Sequence, residues 1–186
     1  RVVEPDSEPL PALQAFLAEF PAAAEIVVKP TVSAGSRDTQ RYRRDQEFAA
    51  ANHIGRLLDA GRSAMLQPYL DAVDTRGETA LLYFDGVLSH AIRKAALLRP
   101  NEVGADHAEI PDAIVARQPG ADELRLGEEI VAALRSRTHG PLAYARVDLI
   151  RDADGQPRLL ELELTEPSLF LPHASGAADR FAAVLA

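Results

Sequence analysis

The residues best suited to chemistry lie near the end of this 186-residue chain. Tyr144, Arg146 and Asp148 alternate there with Ala143, Ala145, Val147 and Leu149, and Glu161 and Glu163 alternate with Leu160, Leu162 and Leu164. Alternation with a period of two marks strands with one apolar face. Asp154-Gly155 lies between the two runs and is a strong two-residue turn signal, so strands over 142–151 and 157–164 form a hairpin. Centring the turn on that dipeptide sets Asp148 opposite Glu161 and Arg146 opposite Glu163, with all four on the polar face. Opposed carboxylates repel, so three in one paired patch call for a compensating cation, and Arg146 alone does not neutralise three. Oxygen-only ligands without His or Cys suit a hard cation, and magnesium held by a few carboxylates plus phosphate oxygens is the usual arrangement. The competing reading is a solvated antiparallel face that happens to be acidic.

The elements that must position this hairpin follow from periodicity. Leu13, Phe16, Leu17 and Phe20 fall on one helical face, which predicts a first helix over 11–20, stopped by Pro21. A strand over 25–29 ends at Pro30, and residues 31–42, with Ser33, Gly35, Ser36 and Asp38, read as a mobile polar loop. A helix over 44–59 has Phe48, Ile54, Leu57 and Leu58 as its expected core face, with Gly61 just past its end. A short strand over 64–66 runs into Gln67-Pro68-Tyr69-Leu70. Asp85-Gly86 centres a hairpin of strands 78–84 and 87–95, which sets Glu78 opposite Arg93 as a plain cross-strand ion pair. Residues 99–121 have no periodicity and read as a long loop of the functional kind. Helices over 122–137, with Leu124, Ile130, Val131 and Leu134, and over 174–186 complete an α+β set.

Composition narrows the classes of partner. Twenty basic and 28 acidic residues give a formal charge of −8, which disfavours nucleic acid and anionic membrane surfaces. No apolar run is long enough to span a bilayer. The absence of Cys excludes disulfides, thiolate nucleophiles and Cys-based zinc sites, and fits a reducing, cytoplasmic setting. His53, His90, His107, His139 and His173 are scattered without ligand-like spacing. The chain opens at Arg1 rather than Met, so a preceding segment is expected.

Val28-Lys29-Pro30 before a polar loop, then Gln67-Pro68-Tyr69-Leu70, then Arg146-x-Asp148 with Glu161-x-Glu163-x-Thr165-Glu166-Pro167 resemble the ATP-grasp superfamily over nearly the whole chain. Glu161 to Phe170 looks most like the group related to the D-cycloserine-forming O-ureido-D-serine cyclo-ligase, within the glutathione synthetase and D-alanine-D-alanine ligase branch. The resemblance implies an ATP-grasp fold of two small α+β subdomains, 1–68 with the phosphate loop and hinge strand and 69–186 with the metal-binding hairpin, the nucleotide lying between them. It also implies an N-terminal substrate domain ahead of this chain.

By the same resemblance Lys29 touches ATP phosphates, although a solvated strand-end lysine is the commoner fate of a Lys. The loop with Ser33, Gly35, Ser36 and Thr39 covers those phosphates, departing from the Gly-rich form of many relatives. Gln67 to Leu70 corresponds to the hinge that recognises adenine, with Tyr69 and Leu70 burying the purine, and Glu78 to the acidic residue on the ribose. Asp148, Glu161 and Glu163 match metal-binding positions for Mg2+, with Mn2+ as an alternative. Relatives commonly place Asn where this chain has Glu163. Arg146 matches an arginine that stabilises charge on the transferring phosphoryl group, and Arg93 and Lys94 are candidates to contact phosphate or substrate.

The implied activity is that of an ATP-dependent carbon–nitrogen ligase in antibiotic biosynthesis. A substrate carboxylate becomes an acyl phosphate that a nitrogen attacks, with cyclisation of O-ureido-D-serine to D-cycloserine as one form. No protein nucleophile is required, and the loops over 31–42 and 99–121 are candidates for a lid. The partner implied is an amino-acid-like small molecule, self-association into a homo-oligomer being left open. Three alternatives stand beside it: an amino-acid or peptide ligase of the glutathione synthetase type, a hydrolase using paired carboxylates, and a non-catalytic ATP-binding module.

Overall fold

The structure is a computed structural model that describes residues 1–33, 35–96, 98, 113–138 and 142–186. The chain divides into two compact units, the first holding Arg1–Tyr69 and Leu98, the second Leu70–Ala96 and residues 113–186. His107 and His139 lie outside the described residues, as does the 99–112 part of the expected long loop.

In the first unit β1 (Val2–Val3), β2 (Glu25–Pro30), β3 (Gln40–Arg43) and β4 (Ala64–Pro68) form an antiparallel sheet of order β1-β4-β2-β3. Helices α1 (Pro9–Glu19) and α2 (Glu47–Asp59) belong to the same core, in which Leu13, Phe16, Val28, Ile54 and Leu66 are wholly buried. Pro9 and Pro11 suit the first turn of α1 because its leading N–H groups have no helical partner to lose. One strand is new to the sequence reading and two expectations are corrected. β1, too short for any period to register, pairs with β4. The polar stretch 31–42 ends as a strand rather than a loop, because Arg41 and Tyr42 are buried when β3 pairs back along β2. Phe48 is 75% exposed: it shares a stripe of α2 with Asn52 and Asp59, while the buried face runs through Ala50, Ile54, Leu57 and Leu58.

In the second unit β5 (Glu78–Phe84), β6 (Val87–Lys94), β7 (Ile114–Ala116), β8 (Tyr144–Arg151) and β9 (Pro157–Glu163) form an antiparallel sheet of order β7-β6-β5-β8-β9. α3 (Ala72–Arg76) leads into β5, α4 (Ala121–Arg135) falls between β7 and β8, and α5 (Ala177–Leu185) closes the chain. β7 occupies part of the stretch expected to be loop. Asp85 and Gly86 both adopt positive φ, 47° and 75°, as a tight primed hairpin turn needs.

Leu81, Tyr83, Val147 and Leu149 face α4 and pack with Val131, while Ala80, Leu82 and Ile92 lie on the opposite face, packed with Leu169 and Phe170. α4 approaches its sheet at Gly127, where an added Cβ would stand 2.5 Å from Leu81 Cδ1 and would also meet the buried, unpartnered hydroxyl of Tyr83. Gly127→Ala is therefore expected to destabilise the fold, since overpacking costs about 1–3 kcal/mol against roughly 1 kcal/mol of helix propensity regained. A higher denaturation midpoint in the variant would refute this.

Arg151 of β8 pairs with Asp122 in the first turn of α4, Nη1 to Oδ2 2.5 Å and Nη2 to Oδ1 3.0 Å. The hydrogen bonds from Arg151 hold the Asp122 carboxyl down at about 2, against an ordinary 3.8. A carboxyl whose pKa is depressed by folding contributes stability that is complete above its unfolded value and is lost as pH falls through the folded one. The pair should therefore stabilise the protein fully above pH 3.8 and fade toward about 2. Acid titration of Asp122→Asn should show a flatter loss across that window, and an unchanged acid limb would count against the pair.

Candidate functional site

The polar face of β5, β6, β8 and β9 assembles the site through register. Arg146 pairs with Glu163 and Asp148 with Glu161, as the sequence spacing predicts. The connection is nevertheless not the expected two-residue turn, because Arg151 pairs with Pro157 across the five residues 152–156. A bulge at Leu160 then restores the expected pairing, the two departures cancelling before they reach the carboxylates. On the other hairpin a bulge at Ser89 is not cancelled. It moves Glu78 from opposite Arg93 to opposite Lys94, and Arg93 faces Thr79 instead. Side chains alternate with period two, so this single extra residue puts Lys94 on the site face and Arg93 on the other.

Lys94 Nζ lies 2.8 Å from Glu78 Oε2 and 2.7 Å from Asp148 Oδ2. Arg146 donates from Nε to Asp148 Oδ1 at 2.9 Å and from Nη2 to Asp148 Oδ2 at 3.0 Å, and it also pairs with Glu163. Asp148 is fully buried, and Arg146 and Lys94 are 6% and 7% exposed, so the face is buried along β6 and β8, while Glu161 on β9 is exposed. The compensating cations are two rather than one.

Burial opposes the charge on Lys94, but Glu78 and Asp148 outweigh it and raise the ammonium pKa. Arg146 is raised likewise: burial opposes its charge, and the Asp148 bond together with the charges of Asp148, Glu163 and Glu161 outweighs burial. Burial pushes the Glu163 carboxyl up, Arg146 pulls against it, and Glu161 and Asp148 add to the rise. Among the described residues four carboxylates, Glu78, Asp148, Glu161 and Glu163, face Lys94 and Arg146, an excess of two negative charges.

Asp148, Glu161 and Glu163 each offer an oxygen within 4.8 Å of the others, a donor set suited to a hard divalent ion. Both oxygens of Asp148 are engaged by Lys94 and Arg146. The Glu161 side chain is exposed and makes no hydrogen bond or ion pair among the described residues, so of the three carboxylates its oxygens are the unengaged ones.

The residues assigned to nucleotide sit mainly in the first unit. Lys29, half-buried in β2, pairs with Met65. Ser33 donates to the Arg37 carbonyl at 3.0 Å, Gly35 has a φ of 63°, and Thr39 is buried, its N–H donating to the Ser36 carbonyl. Gln67 pairs with Val27, and Tyr69 N–H donates to the Glu25 carbonyl at 2.9 Å beneath the Arg41 guanidinium, which lies 3.7 Å from its ring centre. Leu70 begins the second unit, its carbonyl accepting from Val73 N–H. Glu78, assigned to ribose, is drawn by Lys94 into the carboxylate cluster.

Periodicity did not place the segment after β9, residues 164–170, against this cluster. Arg146 Nη1 donates to the Ser168 carbonyl at 3.4 Å, the Phe170 ring centre lies 5.6 Å from the guanidinium carbon, and His90 Nε2 donates to the Leu169 carbonyl at 3.0 Å. Glu166 and Phe170 hold positive φ values of 47° and 49°, a cost for residues with side chains that packing must offset. The only hint in the sequence is the break in alternation at Thr165-Glu166-Pro167.

No family model matches the chain. Solved ATP-grasp ligases share the fold over its whole length. PsnB, complexed with minimal precursor, Mg and ADP, superposes with a TM-score of 0.63 at 20% identity over 52% of its own chain. The D-alanine–D-alanine ligase of Bacillus anthracis complexed with ATP gives 0.61 at 16% identity over 56% of its chain. The chain thus has the ATP-grasp fold. More particularly it is similar to D-cycloserine synthetase DcsG, whose crystal structure superposes with a TM-score of 0.89 at 44% identity, covering all of this chain and 62% of that one. In sequence it is 46% identical over 189 residues to the cycloserine biosynthesis protein DcsG of Streptomyces lavendulae, spanning 62% of that protein's length. Among the described residues no helix is long and apolar enough to cross a membrane.

Proposed function

We propose that the chain is the ATP-binding part of an ATP-dependent carbon–nitrogen ligase that activates a substrate carboxylate as an acyl phosphate. The observation that carries this reading is the convergence of Asp148, Glu161 and Glu163 with Arg146 and Lys94 on one face of a sheet with the ATP-grasp fold. Asp148, Glu161 and Glu163 are the residues to hold Mg2+, which when bound neutralises charge on phosphate oxygens. Lys29, with Ser33, Gly35 and Thr39, serves the phosphates, Gln67, Tyr69 and Leu70 serve adenine, and Glu78 the ribose.

A substrate carboxylate oxygen attacks the γ-phosphorus and ADP leaves. A nitrogen then attacks the acyl carbon, and inorganic phosphate carries away the bonding electron pair. Arg146 offers its guanidinium to the charge that grows on the transferring group, held in place by Asp148 and the Ser168 carbonyl. Buried Lys94 fixes Asp148 from the other side. Similarity to DcsG supports an amino-acid-like substrate, cyclised by its own nitrogen as in the conversion of O-ureido-D-serine to D-cycloserine. Magnesium-dependent ADP release by the full-length protein over a panel of amino acids and O-ureido-D-serine tests both levels. Release with other amino acids alone would refute the cyclisation, and release with none would refute the ligase.

A further inference from the structure

A cavity of about 230 Å³ opens in the second unit on the sheet face opposite the carboxylate cluster, lined by Arg76, Thr79, Arg117, Glu123, Leu149 and Arg151 among others. Thr79 and Leu149 adjoin Glu78 and Asp148 in the chain, so the cavity lies behind the strands that carry the proposed metal ligands. A fourth arginine adjoins the lining at Gly77. The bulge in β6 turns Arg93 to this face, and a Cβ on Gly77, itself a lining residue, would lie 3.1 Å from Arg93 Nη1.

Part of this wall is already satisfied and therefore fixed. Glu123, 2% exposed, accepts from Thr79 Oγ1 at 2.9 Å, from Arg117 Nη2 at 3.1 Å and from Gly120 N–H at 2.7 Å. Asp122 takes Arg151. Arg76 and Arg93 have no ion pair or hydrogen bond to any described side chain. Among the described residues, Arg76, Arg117 and Arg151 line the cavity against Glu123, and Arg93 and Asp122 adjoin it, so two positive charges are left at its mouth, where Arg76 is exposed, on a chain whose total is −8. Holding like charges together without a counter-ion is unfavourable, and the guanidinium fork matches tetrahedral oxyanions in geometry and charge.

We propose that this cavity binds a dianionic oxyanion, phosphate or the phosphoryl head of a small phosphate ester, at a site separate from the carboxylate cluster. A phosphate monoester carries about −1.5 to −2 charge at pH 7 and inorganic phosphate somewhat less, so either comes closer to balancing two uncompensated arginines than a singly charged carboxylate does. Arg76 and Arg93 supply the free donors, while Arg117 and Arg151, held by Glu123 and Asp122, set the field.

Titration calorimetry of the full-length protein with inorganic phosphate, glycerol phosphate and acetate, without ATP, tests the site independently of the ligase reading. One of the two phosphates should bind, whichever is tighter identifying free anion or ester, with acetate at least tenfold weaker. The double variant Arg76→Gln/Arg93→Gln should weaken that binding by about tenfold or more, as loss of two charge-assisted contacts requires. Lys29→Ala, which alters the proposed ATP phosphate contact, should leave it intact. No binding at millimolar anion, equal binding of acetate, or affinity lost in Lys29→Ala but kept in the double variant would overturn the proposal.

Discussion

Replacing Glu161 by Gln is expected to lower magnesium-dependent ADP release by about 100-fold or more, because a lost metal ligand forfeits several kcal/mol of charge stabilisation. The melting temperature should stay the same or rise slightly. The Glu161 side chain is exposed, has no hydrogen bond or ion pair among the described residues and stands opposite Asp148, so without metal its repulsion of Asp148 and Glu163 is set against its attraction to Arg146. Glu163→Gln should lose activity to a similar degree but gain no stability, since it also gives up its ion pair with Arg146. ADP release over a magnesium titration, alongside thermal melting, separates a metal ligand from a surface acid. Full activity with unchanged metal dependence in both variants would defeat the assignment.

Asp148→Ala should produce the opposite balance, a large loss of stability as well as of activity. Its carboxylate is fully buried and is the shared acceptor of Lys94 and Arg146, both nearly buried. Removing one partner of a buried ion pair leaves uncompensated charge in the interior, at a cost of about 3–5 kcal/mol. That corresponds to a fall in melting temperature of roughly 10 °C for a protein of this size. Adding Lys94→Met to Asp148→Ala should recover part of the loss, because one of the two stranded charges is then gone. Strictly additive losses in the double variant would mean that Lys94 and Asp148 are not energetically coupled.

Much of the site was legible because strands write their faces in alternate residues. The period of two through Arg146 and Asp148, and through Glu161 and Glu163, was enough to bring three carboxylates together across a hairpin. The turn did not have to be right: five residues connect the strands instead of two, and the bulge at Leu160 absorbs the difference. Where no second irregularity compensated, at Ser89, the same reasoning chose Arg93 as the partner of Glu78 and missed that Lys94 completes the cluster.

By itself the sequence determined the four longer helices (but not α3), both hairpins, the facing of the carboxylates and the exclusion of thiol chemistry, because propensity and periodicity act over a few neighbouring residues. Tertiary structure alone decided that Asp148, Arg146 and Lys94 are buried on the charged face, that Lys94 rather than Arg93 enters it, and that residues 164–170 pack against Arg146. Bulges, coverage and left-handed residues such as Phe170 are settled by twist and packing between strands far apart in the chain. None of these leaves a local period to be read, and the same bulge that delivers Lys94 to the carboxylates turns Arg93 toward the cavity behind them.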